Sequence, residues 1–356
     1  MKVCMFSLKG NFDKNLGQGV QRMMHEMRRN IGALMDNGAD RLDVIELGFG
    51  KGLMARKISF TLASALHDFG GYDIIHSPAP IIWNPTRRGR AKMVTTLPEL
   101  ALIERDSPFA IALANSKTMP KESSFDRFIQ RNVRRQLLKS DYVICVSNQV
   151  RDEAVQIGCD PKRLFVVHVG IDERFVETQL PNAEHECFTV GYLGGMITRK
   201  NVGFVINSFK SIKDRDIMLN IYGKKSGEYE NLVKLAGDDK RISFMGFASE
   251  DKLVEVYDSF DVMIYPVLYA GFDMEIIEAQ SRGVPVILYK KATITEEARK
   301  YCFEAEDEAH AARIVLDIKN NGYDPKRRKE AMAYARSFTW KSNAEKTVAI
   351  YRKILE

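Results

Sequence analysis

Short apolar segments alternate with stretches of helical period along almost the whole chain. The apolar segments have the length of buried strands and lie at 2–6, 43–47, 73–76, 93–96, 142–147, 164–169, 188–193, 218–222, 242–245, 262–266 and 284–288. Hydrophobic residues recur every three or four positions over 20–37, 125–140, 148–158, 252–259 and 341–355. Strands that alternate with helices in this way predict a mostly parallel sheet with helices on both faces.

The alternation occurs twice, which predicts an α/β protein built from two Rossmann-like, doubly wound domains. The polar stretch 177–186, with Pro181 and no clear period, separates the two runs and is typical of a linker. We therefore expect one domain over 1–176, completed by the C-terminal helix within 339–356, and a second domain over 187–338. Because open parallel sheets bind ligands at the carboxyl ends of their strands, we expect the two sheets to face each other across a ligand-binding cleft.

The composition is that of an ordinary soluble protein. Of 356 residues, 45% are hydrophobic and 28% are charged, and the length suits two domains. The five cysteines are scattered, without a CxxC motif or a Cys/His cluster, so neither a disulfide framework nor a metal site is expected. The N-terminus lacks the layout of a signal peptide, and no apolar run approaches the roughly 20 residues of a membrane span. We expect a cytoplasmic protein.

The net charge of +6 is unevenly distributed. Basic residues cluster in two places, which are Arg87, Arg88, Arg90 and Lys92, and then Arg127, Arg131, Arg134, Arg135 and Lys139. Each cluster could be an ordinary solvated face, and each could attract anionic lipid headgroups or a phosphorylated acceptor. In the second case the protein would be peripheral on the inner membrane surface. No nucleic-acid motif or aromatic–basic platform accompanies the charge, so nucleic acid is not expected as a partner.

The most informative stretch for function is 269–288, in which a glycine turn, a helix start with carboxylates, a second glycine and a buried strand follow one another. Gly271 lets the backbone approach a ligand, and the N–H groups of the following helix suit an anion such as a diphosphate. Glu278 could accept hydrogen bonds from sugar hydroxyls. Taken alone, the stretch could equally be an ordinary turn–helix unit with solvated acids.

Two other glycine-containing loops follow predicted strands. The loop 191–201 carries Arg199 and Lys200, and a bound diphosphate needs fixed positive charge beside N–H donors. The loop 15–22 begins a predicted helix, where it would serve either a phosphate or a tight turn. Elsewhere, Ser147 is expected to cap the helix that follows it.

A series of short segments in a fixed order carries the strongest functional signal. They are Gly-Gln-Gly-Val at 17–20, Tyr-Asp-Ile-Ile-His at 72–76, Val-Ser at 146–147, Val-Gly-Ile-Asp at 169–172, Arg-Lys at 199–200, Met-Gly-Phe at 245–247, Gly-Phe at 271–272 with Glu-Ala at 278–279, Gly-Val-Pro-Val-Ile at 283–287 and Phe-Thr-Trp at 338–340. In this order they resemble the GT-B glycosyltransferases of the large retaining group 1 family, which includes sucrose synthases, glycogen synthases and phosphatidylinositol mannosyltransferases. The resemblance covers nearly the whole chain.

The resemblance implies transfer of a sugar from a nucleotide-diphosphate-sugar donor to an acceptor hydroxyl, usually with retention and without a metal. No cofactor beyond the donor is implied, and the acceptor would be a sugar, a lipid-linked species or a glycan. Lys200 would contact the donor diphosphate and, with Arg199, stabilise its departing charge. The other implied donor contacts are the backbone of Gly19, the phosphate-binding backbone of Gly271, Phe272 and Met274, Glu278 at the ribose, and Gly246 with Phe247.

Several positions depart from the family pattern. Ala270 stands where the first of two glutamates is usual, Asp273 where a glycine is common, and Gly195 where an arginine is frequent. The family's N-terminal His-Asp pair aligns with Pro98 and Glu99. Losing one charge-assisted contact commonly costs roughly 1.5–3 kcal/mol.

These departures leave two interpretations open. Asp273 and Glu275 could act as shifted carboxylates beside Lys200 and Arg199, which makes these four the expected catalytic residues. The chain could instead be a donor-binding or regulatory paralogue with little turnover. The sugar, the base, the acceptor and the oligomeric state are not readable from the sequence.

Two further enzyme classes are weaker alternatives. The segment 43–53 resembles the strand and glycine loop of adenosylmethionine-dependent methyltransferases, but the next strand ends in His76 instead of an acid, and a full strand precedes the motif. A nucleotide-sugar epimerase would also use a double sheet, and it would change the sugar without removing it from the nucleotide. The polar segment 106–124 is expected to form a mobile loop on the acceptor side.

Overall fold

The computed structural model describes residues 1–10, 12, 19–36, 38–49, 53–80, 85–100, 124–180 and 187–356. These residues form two compact units. The N-terminal unit comprises 1–100, 124–170 and 339–356, and the C-terminal unit comprises 171–338. Two sequence-based expectations, for the glycine loop at 15–18 and for the acceptor-side loop at 106–123, lie outside the described residues.

Strands and helices alternate through both units. The strands are β1 (Lys2–Leu8), β2 (Arg41–Leu47), β3 (Ile74–Ser77), β4 (Lys92–Leu97), β5 (Tyr142–Cys145), β6 (Leu164–Val166), β7 (Phe188–Leu193), β8 (Ile217–Tyr222), β9 (Ile242–Gly246), β10 (Val262–Ile264), β11 (Tyr269–Ala270), β12 (Val286–Tyr289), β13 (Thr293–Ile294) and β14 (Phe303–Ala305). The α-helices are α1 (Gly19–Met35), α2 (Leu53–Leu66), α3 (Ser124–Lys139), α4 (Asn148–Gln156), α5 (Arg174–Glu177), α6 (Val202–Ser211), α7 (Tyr229–Ala236), α8 (Leu253–Asp258), α9 (Met274–Ser281), α10 (Glu296–Arg299), α11 (Glu308–Asn321), α12 (Pro325–Ala335) and α13 (Trp340–Lys353).

The N-terminal unit is built on a six-stranded parallel sheet in the order β2-β1-β3-β4-β5-β6. Side chains of β1 alternate between its two faces because the strand repeat is two residues. Phe6 stacks on Phe60 of α2, with ring centroids 5.6 Å apart, whereas the hydroxyl of the neighbouring Ser7 lies 3.9 Å from the Met24 sulfur of α1. Helices therefore cover both faces of the sheet.

The last helix, α13, packs against α1 within the N-terminal unit. Gly170 permits this arrangement, because a Cβ atom built on it would lie 2.2 Å from the backbone nitrogen of Trp340. The side-chain amide of Asn343 donates to the carbonyl oxygen of His168 over 2.7 Å. The chain thus returns to the first unit at residue 339 and is held there by backbone contacts as well as by apolar packing.

The C-terminal unit contains a six-stranded parallel sheet in the order β14-β12-β10-β7-β8-β9, and a separate parallel pair of β11 and β13. From β7, the chain places β8 and β9 on one side and β10, β12 and β14 on the other. The strand order therefore reverses between β7 and β10, and the carboxyl ends of strands at such a switch point are where open α/β sheets bind ligands. Gly191 of β7 lets the Phe260 ring pack directly against the strand, because a Cβ on it would lie 2.2 Å from that ring.

The predicted fold class, α/β with two doubly wound parallel sheets, is confirmed. Each predicted strand coincides with an observed one, and Ser147 caps α4 by accepting a hydrogen bond from the backbone N–H of Val150 over 3.2 Å. The short strands β11, β13 and β14 were not predicted. The segment 171–176, which the sequence-based limits place in the first domain, packs with the C-terminal unit, where Phe175 contacts Tyr257.

Candidate functional site

Lys200 lies at the switch point of the C-terminal sheet. The chain leaves β7 at Leu193 and reaches Lys200 through a short 3-10 turn, while Tyr265 directly follows the neighbouring strand β10. The Lys200 ammonium donates a hydrogen bond to the hydroxyl of Tyr265. Burial raises the pKa of Tyr265 well above its usual value, so this hydroxyl stays protonated and uncharged. The two strand ends therefore hold a buried cation at the ligand-binding edge.

Two carboxylates share this position with Lys200. Its Nζ atom lies 3.0 Å from Oδ1 of Asp273 and 3.8 Å from Oε1 of Glu275. Lys200 and Asp273 are each only 6% exposed, and Glu275 is more accessible. The structure thus brings three of the four residues predicted to be catalytic into one cluster, although Lys200 and Asp273 are 73 positions apart in the chain.

Asp273 has the most perturbed environment in this cluster. Burial raises the pKa of its carboxyl group, the negative charge of Glu275 acts in the same direction, and the positive charge of Lys200 opposes both. Its second oxygen, Oδ2, is buried and has no hydrogen-bond partner among the described residues. A buried acceptor without a donor costs roughly 1–3 kcal/mol. One acceptor atom of Asp273 is therefore unused within the described residues.

Asp273 is also the N-cap residue of α9. Its backbone is extended, with φ −91° and ψ 107°, but its side chain makes no capping hydrogen bond and is turned to Lys200 instead. An N-cap carboxylate ordinarily accepts from the helix's own amide groups. The positive end of the α9 dipole and the Lys200 ammonium consequently lie at the same place, which favours a bound anion.

Arg199 joins the Lys200 loop to the segment before α9. Its Nη1 atom donates to the carbonyl oxygen of Tyr269 over 2.9 Å, and its own carbonyl oxygen accepts from the backbone N–H of Leu268 over 2.9 Å. These contacts fix the buried Gly271 turn relative to Lys200. Arg199 thus has a positioning role in this structure, and its predicted contact with a diphosphate stays a prediction.

The remaining residues predicted in this segment are packed against the core. The rings of Phe272 and Phe338 lie 5.5 Å apart, and Met274 is buried. Glu278 is 1% exposed, and its Oε2 atom accepts a hydrogen bond from the hydroxyl of Tyr257 over 2.9 Å. Tyr257 therefore orients this carboxylate, whose predicted contact with a ribose stays a prediction.

An exposed aromatic ring lies at the end of β9. Gly246 ends the strand with a φ of 79°, and its carbonyl oxygen accepts from the backbone N–H of Gly223 over 2.8 Å. Phe247 follows and is 49% exposed, with the Lys224 ammonium 4.7 Å from its ring centroid. A ring and a cation at the carboxyl edge of the sheet are suited to a planar, anionic group.

The residues singled out in the N-terminal unit take different positions. Gly19 is the first residue of α1 and is exposed, and Pro98 and Glu99 directly follow β4. His76 of β3 is completely buried, with Nδ1 2.5 Å from the Tyr351 hydroxyl and Nε2 2.8 Å from the Thr96 hydroxyl.

Burial lowers the pKa of His76 to about 3. The ring is therefore neutral and joins β3, β4 and α13. It is a structural histidine, and the contact predicted for the backbone of Gly19 stays a prediction.

Neither a metal site nor a membrane span is found in the described part of the molecule. Within the described ranges, no three His, Cys, Asp or Glu side chains are placed so that they could hold a metal ion together. In the same part of the chain, no helix combines the length and the apolar character needed to cross a bilayer.

Family models match both units. The model described as "Glycosyl transferases group 1" matches residues 187–321, and the model described as "Glycosyltransferase Family 4" matches residues 23–175. The chain belongs to the group 1 glycosyltransferases.

Curated relatives of this group 1 glycosyltransferase are distant in sequence. The O-antigen chain mannosyltransferase B of Escherichia coli is 23% identical over 314 residues, which cover 82% of this chain and 76% of that protein. The D-inositol 3-phosphate glycosyltransferase of Mycobacterium sp. (strain JLS) is 26% identical over 282 residues, which cover 73% of this chain and 60% of that protein. The alignment thus spans less than two thirds of the mycobacterial relative.

Solved structures match over almost the full chain and show the fold. The sucrose-phosphate synthase of Thermosynechococcus elongatus has a TM-score of 0.76 at 16% identity, with 99% of each chain covered. Alr3699/HepE of Anabaena, solved with UDP and glucose, has a TM-score of 0.70 at 14% identity, with 99% of this chain and 100% of that chain covered. Both support the GT-B architecture for this glycosyltransferase.

Two departures from the family pattern can now be placed in this glycosyltransferase. Ala270 is buried in β11, so the position of the usual first glutamate supplies no carboxylate, and Asp273 and Glu275 are the acids next to Lys200. Gly195 has open space, because a Cβ on it would meet no atom closer than Ile197 at 4.0 Å.

Sequence reasoning missed three residues of the site. Tyr265 contacts Lys200, Tyr257 orients Glu278, and Lys224 lies over the ring of Phe247. Tyr265 lies at the carboxyl end of the predicted strand 262–266, and Lys224 closely follows the predicted strand 218–222. The rule that ligands bind at carboxyl ends could therefore have found both. Tyr257 lies on α8, and no sequence signal connects it with Glu278.

Proposed function

We propose that this chain transfers a sugar from a nucleotide-diphosphate-sugar donor to an acceptor hydroxyl, with retention of the anomeric configuration and without a metal ion. The observation that carries the proposal is the cluster of Lys200, Asp273 and Glu275 at the switch point of the C-terminal sheet. Membership of the group 1 glycosyltransferases supports the transfer reaction. The UDP and glucose found with the Anabaena neighbour support a nucleotide sugar as the donor.

Lys200 has a hydrogen-bond donor to spare for a diphosphate. An ammonium group has three N–H donors, and those of Lys200 reach Asp273 and Tyr265 within the described residues. The third can reach a phosphate oxygen while the contact to Asp273 stays in place. As the bond to the sugar breaks, negative charge grows on the departing diphosphate, and Lys200 and the α9 dipole would stabilise it. These fixed charges would take the place of a metal ion.

Asp273 would hold the transferred sugar. Its buried Oδ2 atom lacks a donor among the described residues, and a sugar hydroxyl would supply one. Because Ala270 carries no carboxylate, this role falls to Asp273, with Glu275 beside it at the more accessible side. Glu278, held by Tyr257, would bind the ribose hydroxyls, and Phe247 with Lys224 would contact the base end of the donor.

We propose a lipid-linked or polysaccharide acceptor and a peripheral contact with an anionic membrane surface, in the cytoplasm. Two observations support this proposal. One is the similarity to the Escherichia coli relative, an O-antigen chain mannosyltransferase. The other is the exposure of basic side chains in both clusters, among them Arg90, Lys92, Arg131 and Arg135.

The first test is to find the donor and then remove Lys200. A thermal-shift screen of nucleoside diphosphates and their sugar conjugates identifies the ligand, because a ligand bound only by the native state raises the melting temperature. Transfer is then measured for Lys200→Ala and for Lys213→Ala, an exposed lysine of the same unit. We expect Lys200→Ala to lose ten- to a hundredfold in transfer and Lys213→Ala to be unchanged. A folded Lys200→Ala protein with full activity would refute the proposal.

A second candidate function is that of a donor-binding or regulatory paralogue with little turnover. Ala270 favours it, and so does the ion pair between Asp273 and Lys200, because it already satisfies part of the Lys200 charge. Calorimetric titration with the donor found in the screen separates the two functions when it is combined with product analysis on acceptor extracts. Tight donor binding without transfer to any extract would support the paralogue, and transfer would exclude it.

A further inference from the structure

Helix α2 carries apolar side chains on its outward face. Ile58, Leu62 and Leu66 are 56%, 62% and 74% exposed, and their spacing of four places them on one side of the helix. The inward face buries Phe60 completely. A surface helix ordinarily turns polar side chains to solvent and buries one apolar stripe. In the described part of α2, apolar side chains lie on both faces, and the outward row is about 12 Å long at 1.5 Å per residue.

Phe49 is a further exposed apolar residue beside this helix. It is 73% exposed, its backbone N–H donates to the Ser59 hydroxyl over 2.8 Å, and the same hydroxyl donates back to the Phe49 carbonyl oxygen over 2.7 Å. These two bonds fix the backbone of Phe49 beside the middle of α2, at Ser59. Phe49, Ile58, Leu62 and Leu66 together are the apolar strip.

A basic loop is attached to the C-terminal end of α2. The Thr86 hydroxyl donates to the carbonyl oxygen of Ala65 over 2.6 Å, and the backbone N–H of Phe69 donates to the carbonyl oxygen of Arg87 over 2.8 Å. The basic loop, residues 86–92, therefore lies directly beside the C-terminal end of the apolar strip.

The basic loop presents cations that are available to a partner. Arg87, Arg90 and Lys92 are exposed, and among the described residues the side chain of Arg87 forms a solvent-exposed ion pair of 3.7 Å with Asp68. Within the described ranges, neither Arg90 nor Lys92 has an acidic side chain as a partner. Exposed pairs such as that of Arg87 contribute at most about 1 kcal/mol, so an anionic surface can replace Asp68.

We propose that the apolar strip and the basic loop together are the surface by which this protein docks on an anionic lipid bilayer. The strip would enter the boundary between headgroups and acyl chains, while Arg90 and Lys92 would meet lipid phosphates. Charge complementarity favours this occupant over a second copy of the chain, since each copy carries a net charge of +6. The inference specifies the membrane contact of the proposed function, but docking needs no catalysis.

The orientation of the strip has a consequence for the acceptor. Phe49 follows the carboxyl end of β2, which is the ligand-binding edge of the N-terminal sheet, and Leu66 lies at the opposite edge. A helix lying flat on the bilayer would therefore hold the carboxyl edge close to the membrane surface. A lipid-linked acceptor could reach that edge without leaving the bilayer.

The test measures sedimentation of the full chain with vesicles of phosphatidylcholine alone and of phosphatidylcholine with phosphatidylglycerol, at low and at raised salt. The strip variant is Leu62→Ser with Leu66→Ser, and its control is Val155→Ser, an exposed valine of the same unit. The charge variant is Arg90→Glu with Lys92→Glu, and its control is Lys162→Glu. Circular dichroism establishes that each variant is folded, and light scattering without lipid reports self-association.

We expect the wild-type protein to bind the anionic vesicles and to release them at raised salt. The strip variant should bind about a hundredfold less tightly and the charge variant at least about tenfold less, with both controls as wild type. Absence of binding to anionic vesicles, or unchanged binding of either variant, would overturn the inference. So would lipid-free self-association that the strip variant abolishes. Donor binding, measured separately, is unaffected by these outcomes, so the proposed transferase can fail or stand independently.

Discussion

Removing Lys200 alone is expected to destabilise the C-terminal unit more than removing Lys200 and Asp273 together. Lys200→Met leaves the Asp273 carboxylate buried without its counter-charge. Lys200→Met combined with Asp273→Asn removes both buried charges and leaves the more accessible Glu275. The comparison therefore separates the cost of an unpaired buried charge from the loss of the pair itself.

The magnitude follows from the geometry of the pair. The two charged atoms lie 3.0 Å apart, and both residues are 6% exposed. Breaking such a buried pair by removing one partner costs about 3–5 kcal/mol, whereas replacing both partners is often close to neutral. For a unit of this size, about 2–4 °C of melting temperature are lost per kcal/mol. Lys200→Met should thus melt roughly 6–20 °C below wild type, and the double variant should recover most of that loss.

The assay is thermal unfolding of wild type, both single variants and the double variant, with Lys213→Met as the exposed control. Because burial already raises the pKa of Asp273, its carboxyl group can take up a proton when Lys200 is absent. The deficit of Lys200→Met should therefore shrink as the pH falls, since a protonated Asp273 needs no counter-charge. A Lys200→Met protein that melts with wild type, or a double variant as unstable as Lys200→Met, would refute this reasoning.

Three further predictions concern other parts of the molecule. Burial lowers the pKa of His76 to about 3, whereas its unfolded value is about 6.5. The free energy of unfolding should therefore fall by up to about 1.4 kcal/mol per pH unit as the pH drops from about 6.5 towards 3. His76→Asn should lose this pH dependence in urea titrations at several pH values. Glu278→Gln should weaken binding of a ribonucleoside diphosphate by ten- to a hundredfold but leave the 2′,3′-dideoxy analogue unaffected in calorimetric titrations, and equal effects on both would exclude a ribose contact. Gly170→Ala should lower the free energy of unfolding by about 1–3 kcal/mol, the cost typical of overpacking, because its Cβ would clash with Trp340. Gly71→Ala, whose Cβ has no neighbour closer than 3.9 Å, should leave the melting temperature unchanged.

Much of the fold follows from the sequence because strands buried on both faces are continuous apolar runs. The runs at 2–6 and 262–266, for example, coincide with the buried strands β1 and β10. The strands β11 and β13 have two residues each, and a pattern with a repeat of two cannot be recognised over so short a length. Their pairing depends on tertiary contacts, including the bond from Arg199 to Tyr269.

The site was predictable as separate pieces but not as an arrangement. Glycines, lysine and carboxylates in loops after strands indicated an anion site, and Lys200, Asp273 and Glu275 do lie together. The ion pair between Lys200 and Asp273 depends on how α9 packs beside the loop after β7. The local sequence does not determine that packing.

The outward row on α2 was not predictable for a related reason. Helical period shows which residues share a face, but not whether another element covers that face. The spacing of Ile58, Leu62 and Leu66 fits a buried face equally well, and only their exposure in the structure separates the two cases.

The contact between His76 and Tyr351 links residues 275 positions apart, and it lies inside the unit that begins the chain. During synthesis at about 5–20 residues per second, the ribosome would add Tyr351 roughly 14–55 s after His76. Helix α13 is synthesised only after the whole C-terminal unit, so the first unit lacks this helix until then. The first unit could therefore complete its packing only after the C-terminal unit has been made, and the face of α1 that packs on α13 would stay uncovered until then.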